Sequence, residues 1–517
     1  HTAVLVLGFV LLALLVACGG GSQAADTPTP EAKVLAKADV EPSPTKELPE
    51  PEPTNPPTPT ETAPSATLSP LPTATFTSML PTQTATVTPV LTSTPLPTTT
   101  YTPTAKPTQV SPTAAATPTQ IPPMSTLTLT PTPVPIPSDW PTDVGTSHFG
   151  ALGNHLEGFS GAWIRPHPGP FVWGWIEPSS GEHNWATTDR WVREWQQDRL
   201  AVLVTIWPFA EWDQNACHAG RAEAINLPDF LSRKPDVGQR LYSPCNEAAY
   251  ETWLNAAVER YDGDGMDDMP GLQYPLRYWE ILNEPEMQGP ELTFFQEDSA
   301  AYLELLKLSY TTIKAADPNA VVLPGGQAGM QPHSVAYWRP VLQSGGDFFD
   351  VGNIHSIGSD DEFFASEYRV LLDSLGYAEK PYWITEAGVP NRSRPGESPP
   401  TEDDLAKMVF TSFAAAFSEG ADVIIKIHRG SAAGTVAYET YLLMARTVGD
   451  FTTATRLAKN AVRFEMPDGR TVYLLWGNTR LPPEVTGTVT VVTHAGEESQ
   501  EDASSVAGQA PILVIVE

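Results

Sequence analysis

The sequence predicts an α/β protein, a (β/α)8 TIM barrel that carries a C-terminal antiparallel β domain. Three observations lead there. After Pro141, short apolar runs alternate with longer amphipathic segments, the pattern of repeated βα units around a parallel sheet. Eight such runs fit within about 300 residues, the size of one barrel whose site gathers at the C-terminal ends of its strands. Past residue 449 the chain changes to short β-branched runs separated by turns such as Pro467-Asp468-Gly469.

The first 138 of the 517 residues take no part in this pattern. An apolar run from Leu5 to Ala17 is too short to span a bilayer comfortably and ends Leu15-Val16-Ala17-Cys18-Gly19. That ending resembles a bacterial lipoprotein signal, in which Cys18 is lipidated and becomes the first mature residue. The chain opens on His1-Thr2 without a basic segment, so residues 1–18 read as a signal truncated at its start; an ordinary cleaved signal or a short anchor helix is the alternative. Residues 19–138 are Thr, Pro, Ser and Ala with Thr-Pro-Thr-Pro repeats. They lack the apolar surface to offset the entropy of folding, and proline stiffens them toward an extended stalk.

The formal charge is −31, and the stalk explains little of it, with eight carboxylates against four lysines. A folded part this acidic argues against nucleic acid and anionic polymers as partners, since both need positive potential. It suits an extracellular location and a neutral substrate. After Cys18 only Cys217 and Cys245 remain, an even pair in an exported protein. A disulfide between them closes a loop of roughly thirty residues, worth on the order of 3 kcal/mol; two free buried thiols are the other reading.

The barrel, residues 139–449, is expected to place strands near His148–Leu152, Gly161–Arg165, Leu200–Ile206, Leu276–Leu282, Ala320–Leu323, Phe349–Ile354, Pro381–Thr385 and Ala421–Ile427. Helical spacing falls between them at Thr188–Gln197, Glu247–Tyr261, Ser299–Ala316, Glu362–Leu375 and Glu402–Ser418, and after the last strand at Tyr438–Thr447. The loop after the second strand holds Trp173, Trp175, Trp185 and Trp191, which read chiefly as packing residues. Trp207 and Trp212, just past the third strand, are placed better for stacking on a sugar ring. Tyr261 to Asp268 sets Asp262, Asp264 and Asp268 among glycines. It reads either as a structural calcium loop or as a solvated acidic turn, on the barrel face opposite the site. Residues 450–517 read as a small β-sandwich-like domain that packs on the barrel.

Two strand ends carry chemistry. Tyr278-Trp279-Glu280-Ile281-Leu282 runs apolar until Asn283 and Glu284 arrive together and Pro285 ends the strand. Pro381-Tyr382-Trp383-Ile384-Thr385 likewise delivers Glu386 into a turn. Two carboxyl groups facing one barrel mouth are the equipment of glycoside hydrolysis, one to protonate the leaving oxygen and one to attack the anomeric carbon.

At these residues the chain resembles clan A glycoside hydrolases, and is similar to families 39 and 5 over about Thr146 to Thr447. The resemblance implies that Glu284 is the acid/base, Glu386 the nucleophile and Asn283 the partner of the sugar 2-hydroxyl. It implies that Arg165 holds the nucleophile ionised and that His355 is a polar site residue. The pattern departs from relatives in two places: no tyrosine follows His355 closely, and the eighth strand ends Lys426-Ile427-His428-Arg429-Gly430 where many place a tryptophan. His428 either replaces that platform or is a hydrogen-bonded barrel histidine.

The expectation is therefore a monomeric retaining glycosidase of β-linked saccharides, anchored outside the cell through Cys18 and needing no cofactor for catalysis. A non-catalytic glycan-binding lipoprotein and a transglycosylase are the rival readings. Palmitate labelling of the full chain is expected, and its loss in Cys18→Ala; labelling unchanged by that substitution removes the lipid anchor.

Overall fold

The computed structural model describes residues 144–153, 162–227, 237–289, 292–357, 362–389, 398–427 and 434–517. Cys18, the stalk and His428 lie outside the described residues. Nine parallel strands fill eight barrel positions: β1 (Phe149–Leu152), β2 (Trp163–Arg165), β3 (Ala201–Ile206), β4 (Tyr278–Ile281), β5 (Val321–Pro324), β6 (Gln327–Ala328), β7 (Gly352–Ile357), β8 (Tyr382–Gly388) and β9 (Ala421–Ile427). β1 pairs with both β2 and β9, so first and last strands meet. The fifth position is split. β5 pairs with β4, and after Gly325-Gly326 the chain resumes as β6, which pairs with β7. Asp350 and Val351 N–H groups donate to Val322 O across the gap and complete the ring.

Alternation along the strands builds the interior in layers. Trp163, Leu203, Leu323, Val351, Trp383, Val423 and Ile425 form an apolar cluster inside the barrel. Two residues further along come Arg165, Thr205, Glu280, Asn353 and Thr385, every one of them buried. An apolar floor thus carries a polar layer, and the layer faces the C-terminal mouth.

The outer wall includes the helices Ala186–Gln197, Glu247–Glu259, Ser299–Ala316, Pro332–Gly345, Ala365–Ser374, Glu402–Ser418 and Val436–Val448. Their starts are capped where the sequence supplies short polar side chains. Asp298 accepts from the N–H groups of Ala300 and Ala301, and Thr401 with Asp404 forms a reciprocal capping box. The helix at Pro332–Gly345 was hidden in the sequence by its internal Pro340; proline at its first turn starts it. No helix among the described residues is long and apolar enough to cross a membrane.

The C-terminal region holds a six-stranded sheet, ordered β10 (Thr453–Ala458), β11 (Ala461–Glu465), β12 (Thr471–Leu475), β17 (Ile512–Val516), β14 (Thr488–Thr493), β15 (Glu498–Asp502), and a two-stranded ribbon of β13 (Thr479–Arg480) and β16 (Ala507–Gly508). It is not a free-standing sandwich, because the barrel supplies the opposing layer. Val462, Phe464, Val472, Leu474, Val492 and Leu513 join the same core as Phe417, Val448 and Phe451. Alternate residues Tyr473, Leu475, Val489, Val491, Ile512 and Val514 form a second cluster on the other face. Arg456 adds an ion pair to Glu362 at 2.8 Å.

Cys217 and Cys245 form a disulfide 28 residues apart in sequence. Asp213 braces the same loop by accepting from the N–H groups of Cys245 and Asn246. A Cys217→Ala/Cys245→Ala double variant is expected to lose about 3 kcal/mol of unfolding free energy by chemical denaturation; an unchanged midpoint contradicts the crosslink.

Candidate active site

Arg165, at the tip of β2, makes three charge-assisted bonds. Its Nε donates to Glu280 Oε2 at 2.7 Å, Nη1 to Glu386 Oε1 at 2.7 Å and Nη2 to Asn283 Oδ1 at 2.6 Å. Thr205 Oγ1 also donates to Glu280 Oε2, at 2.7 Å. Glu280 thus sits one residue before the end of β4 as the buried partner of the arginine. Burial acts to lower the guanidinium pKa, but Glu280 and Glu386 outweigh it and the net shift is upward. Arg165 therefore stays charged while fully buried, because each face of its fork has a partner.

Strict alternation would turn Thr385 and Glu386 to opposite faces of β8. Both reach the interior instead, Thr385 toward Asn353 and Glu386 toward Arg165. The ladder is irregular here, with register shifts beside β7 at Ile354/His355 and beside β9 between Ile384 and Ala387. A bulge of this kind re-aims a side chain at a sheet's rim. At the end of β4, Leu282 (φ 69°) and Glu284 (φ 38°) both take left-handed backbone, which brings Asn283 and Glu284 together into the mouth. Such conformations cost about 1–3 kcal/mol each and persist where surrounding structure enforces them.

His355 joins the two glutamates. Its Nδ1 lies 2.8 Å from Glu284 Oε1 and 3.9 Å from Glu386 Oε1, and its Nε2 lies 3.0 Å from Thr385 Oγ1. Burial holds the imidazole down to about 4, so it is neutral near pH 7. The hydrogen bonds assign its tautomer. Asn353 Nδ2 donates to Glu280 Oε1 and Pro324 O, which leaves Asn353 Oδ1 to accept from Thr385 Oγ1 at 2.7 Å. Thr385 then accepts from His355 Nε2–H, and bare Nδ1 accepts from a protonated Glu284.

The carboxyl shifts agree. Burial pushes Glu284 up to about 8, opposed by Arg165 and reinforced by Glu280. Burial also raises Glu386, and the shift stays upward although His355 and Arg165 pull against it. One oxygen of Glu284, one nitrogen of His355 and one oxygen of Glu386 lie within 4.8 Å of one another. The arrangement provides a proton on one side and a carboxylate, held by a cation, on the other. Gly326 makes room for it: a Cβ there would fall 1.8 Å from His355 Nε2.

Of the residues expected from sequence, Glu284, Glu386, Asn283, Arg165 and His355 converge at this mouth. The Trp207 ring is fully buried; Nε1 donates to Pro168 O and the ring packs against His167 and Phe294. Trp212 is half-buried, donates to Glu177 O and meets Trp173 edge-on. The acidic loop spends its carboxylates on its own backbone. Asp268 accepts from Gly263 and Gly265, Asp262 from Asp264 and Asp264 from Met266. One carboxylate oxygen each of Glu259, Asp262 and Asp264 lie within 4.8 Å of one another.

Sequence reading missed Glu280, Thr205, Asn353 and Thr385, and with them His167, whose Nδ1 lies 4.0 Å from Glu386 Oε1. The first four left a signal: a polar residue two places after an inward apolar one, inside an otherwise apolar strand.

No family model and no curated protein matches the chain. Among solved structures it is similar to a family 39 glycoside hydrolase from Bacteroides cellulosilyticus at 14% identity and TM-score 0.49, covering 72% of this chain and 82% of that one. A glucosidase from Croceicoccus marinus overlaps at 13% identity and TM-score 0.48, covering 72% and 96%. A family 39 β-xylosidase from Caulobacter crescentus overlaps at 14% and 0.47, covering 73% and 97%. At this identity the overlap concerns backbone alone, and the chemistry rests on the residues above.

Glu284 binds its proton more tightly in the folded chain than in the unfolded one. The stability this contributes is full below the ordinary value of 4.5 and is lost as pH rises through about 8. Between about pH 5 and about pH 9 the wild-type melting temperature is expected to fall more steeply than that of Glu284→Gln, whose amide does not titrate. Parallel melting curves would mean that folded Glu284 is ionised.

Proposed function

We propose that this chain is a retaining glycoside hydrolase acting on β-linked oligo- or polysaccharide. One observation carries the reading: two buried carboxyl groups at the barrel mouth bring an oxygen of each within 4.8 Å, and Glu386 but not Glu284 is hydrogen-bonded to the Arg165 guanidinium. Retaining enzymes hold their carboxyl groups roughly 5 to 5.5 Å apart, and inverting ones roughly 6.5 to 9.5 Å to admit a water. The short separation favours direct attack by a carboxylate.

In the first step Glu386 attacks the anomeric carbon as Glu284 gives its proton to the departing oxygen, and the glycosidic bond breaks. Arg165 keeps the attacking carboxylate charged and aimed. Asn283 Oδ1 is occupied by Arg165, so its amide nitrogen is the donor end, shared between Glu284 and a sugar hydroxyl. Once Glu386 is esterified its negative charge is gone, which lowers the proton affinity of Glu284. Glu284 then takes a proton from water as that water attacks the glycosyl ester and frees Glu386 with a second inversion.

The lipoprotein-type ending at Cys18 and the acidic folded part support work outside the cell, at the end of a stalk. Glycan panels with aryl β-glycosides test the activity. For a substrate that wild type cleaves with retention, kcat/KM is expected to fall as pH rises through about 8, where Glu284 loses its proton. Glu386→Ala is expected to lose hydrolysis and to regain part of it with azide, giving product of inverted configuration. Wild-type turnover with inversion would sink the two-step scheme.

A further inference from the structure

The turn that carries Glu284 holds a second glutamate the reaction leaves unused. Glu286 Oε1 accepts from the N–H of Ala328 at 2.6 Å and from Ser334 Oγ at 2.7 Å. Its Oε2 is buried without a hydrogen-bond partner. Ser334 stands in the first turn of the helix Pro332–Gly345, whose N-terminal end favours a carboxylate. Ala328 belongs to β6, and its register partner there is His355. One two-residue strand therefore holds both sides of the 2.8 Å contact between Glu284 and His355. It grips the acid's turn through Glu286 and grips His355 through strand pairing.

We infer that Glu286 is a positioning residue for the acid, fastening the left-handed Glu284 turn to β6 and so fixing Glu284 against His355. The inference rests on the reading of Glu284 as acid/base. Around Glu284 stand Arg165, Glu280, Glu386, His355, Asn283 and Glu286. Glu286 in turn faces Tyr302, Tyr337 and Tyr368 as well as Glu284. Burial pushes the Glu286 carboxyl up to about 7 against the bonds from Ser334 and Ala328. Gln, which keeps the accepting oxygen, is therefore a fair replacement and Ala is not.

The test compares wild type, Glu286→Gln and Glu286→Ala on two aryl glycosides of one sugar, one with a poor and one with a good leaving group. Glu286→Ala is expected to lose on the order of 30-fold in kcat on the poor leaving group, with KM within about 3-fold, because proton donation is the part impaired. On the good leaving group the loss stays within about 3-fold, and the basic limb of kcat/KM moves to lower pH as Glu284 gains water. Glu286→Gln restores most of the rate. Equal losses on both substrates with an unmoved basic limb, or Gln as impaired as Ala, overturn the inference. If Glu286→Ala melts below the assay temperature, Ser334→Ala removes one of the two bonds and must show the same split at smaller size. A wild type inert toward both glycosides and the wider panel overturns the glycosidase reading, and the inference with it; an active wild type with uniform losses overturns the inference alone.

Discussion

Arg165 is the constraint on which the rest of the structure depends. A guanidinium with no solvent exposure has to be matched by acceptors, since an unpaired buried charge costs several kcal/mol. Its three acceptors come from two strands well apart in sequence, Glu280 and Asn283 from the fourth and Glu386 from the seventh barrel position. These bonds form together only when the strands lie in one register around the apolar floor. Slipping a strand by one residue would turn its polar member outward and leave the guanidinium bare. The same bonds that make the interior tolerable therefore aim the carboxylate.

Glu280 and Glu386 share one cation but do different work. Glu280 is tied down by Arg165, Thr205 and Asn353 and sits with no exposure beneath the mouth. Glu386 spends one oxygen on Arg165 and borders the cluster with His355 and Glu284. With Glu280 hydrogen-bonded to the guanidinium, the ester that the proposed scheme forms on Glu386 would leave Arg165 a carboxyl partner. Had Arg165 only one carboxylate partner, forming the ester would leave a buried positive charge unmatched.

Much of this was legible in the sequence, and what was missed has a common physical origin. Alternating apolar runs gave all eight barrel positions, since buried parallel strands read as near-continuous hydrophobic segments. The split of the fifth position was not visible, because Gly325-Gly326 reads as an ordinary turn until His355 is seen lying against Gly326. The edge strands β10 and β15 went unread because they are largely exposed and show no apolar alternation. Glu284 and Glu386 stood out as acids at strand ends beside turns. Thr385 and Asn353 did not, since their roles exist only through partners on other strands. Trp207, placed after the third strand, does border the mouth through His167, but its full burial was not readable from its position.

Three departures from regular geometry meet at the mouth. β8 loses its register at Glu386, β4 ends in two left-handed residues around Asn283, and the fifth position breaks beside His355. A regular barrel presents alternate residues at its mouth, so neighbouring side chains on one strand cannot both face inward. Asn283 with Glu284, and Thr385 with Glu386, are adjacent pairs that must. Each irregularity supplies the extra rotation that one such pair, or the ring of His355, requires. The apolar floor of Trp163, Leu203, Leu323, Trp383 and Ile425 lies beneath them, although β8 also shifts register against β9 at Trp383. The apolar layer and the polar layer on it follow the two-residue period at most positions, and the side chains added beyond that period, Glu284 and Glu386, are the ones that need the strained turn and the bulge.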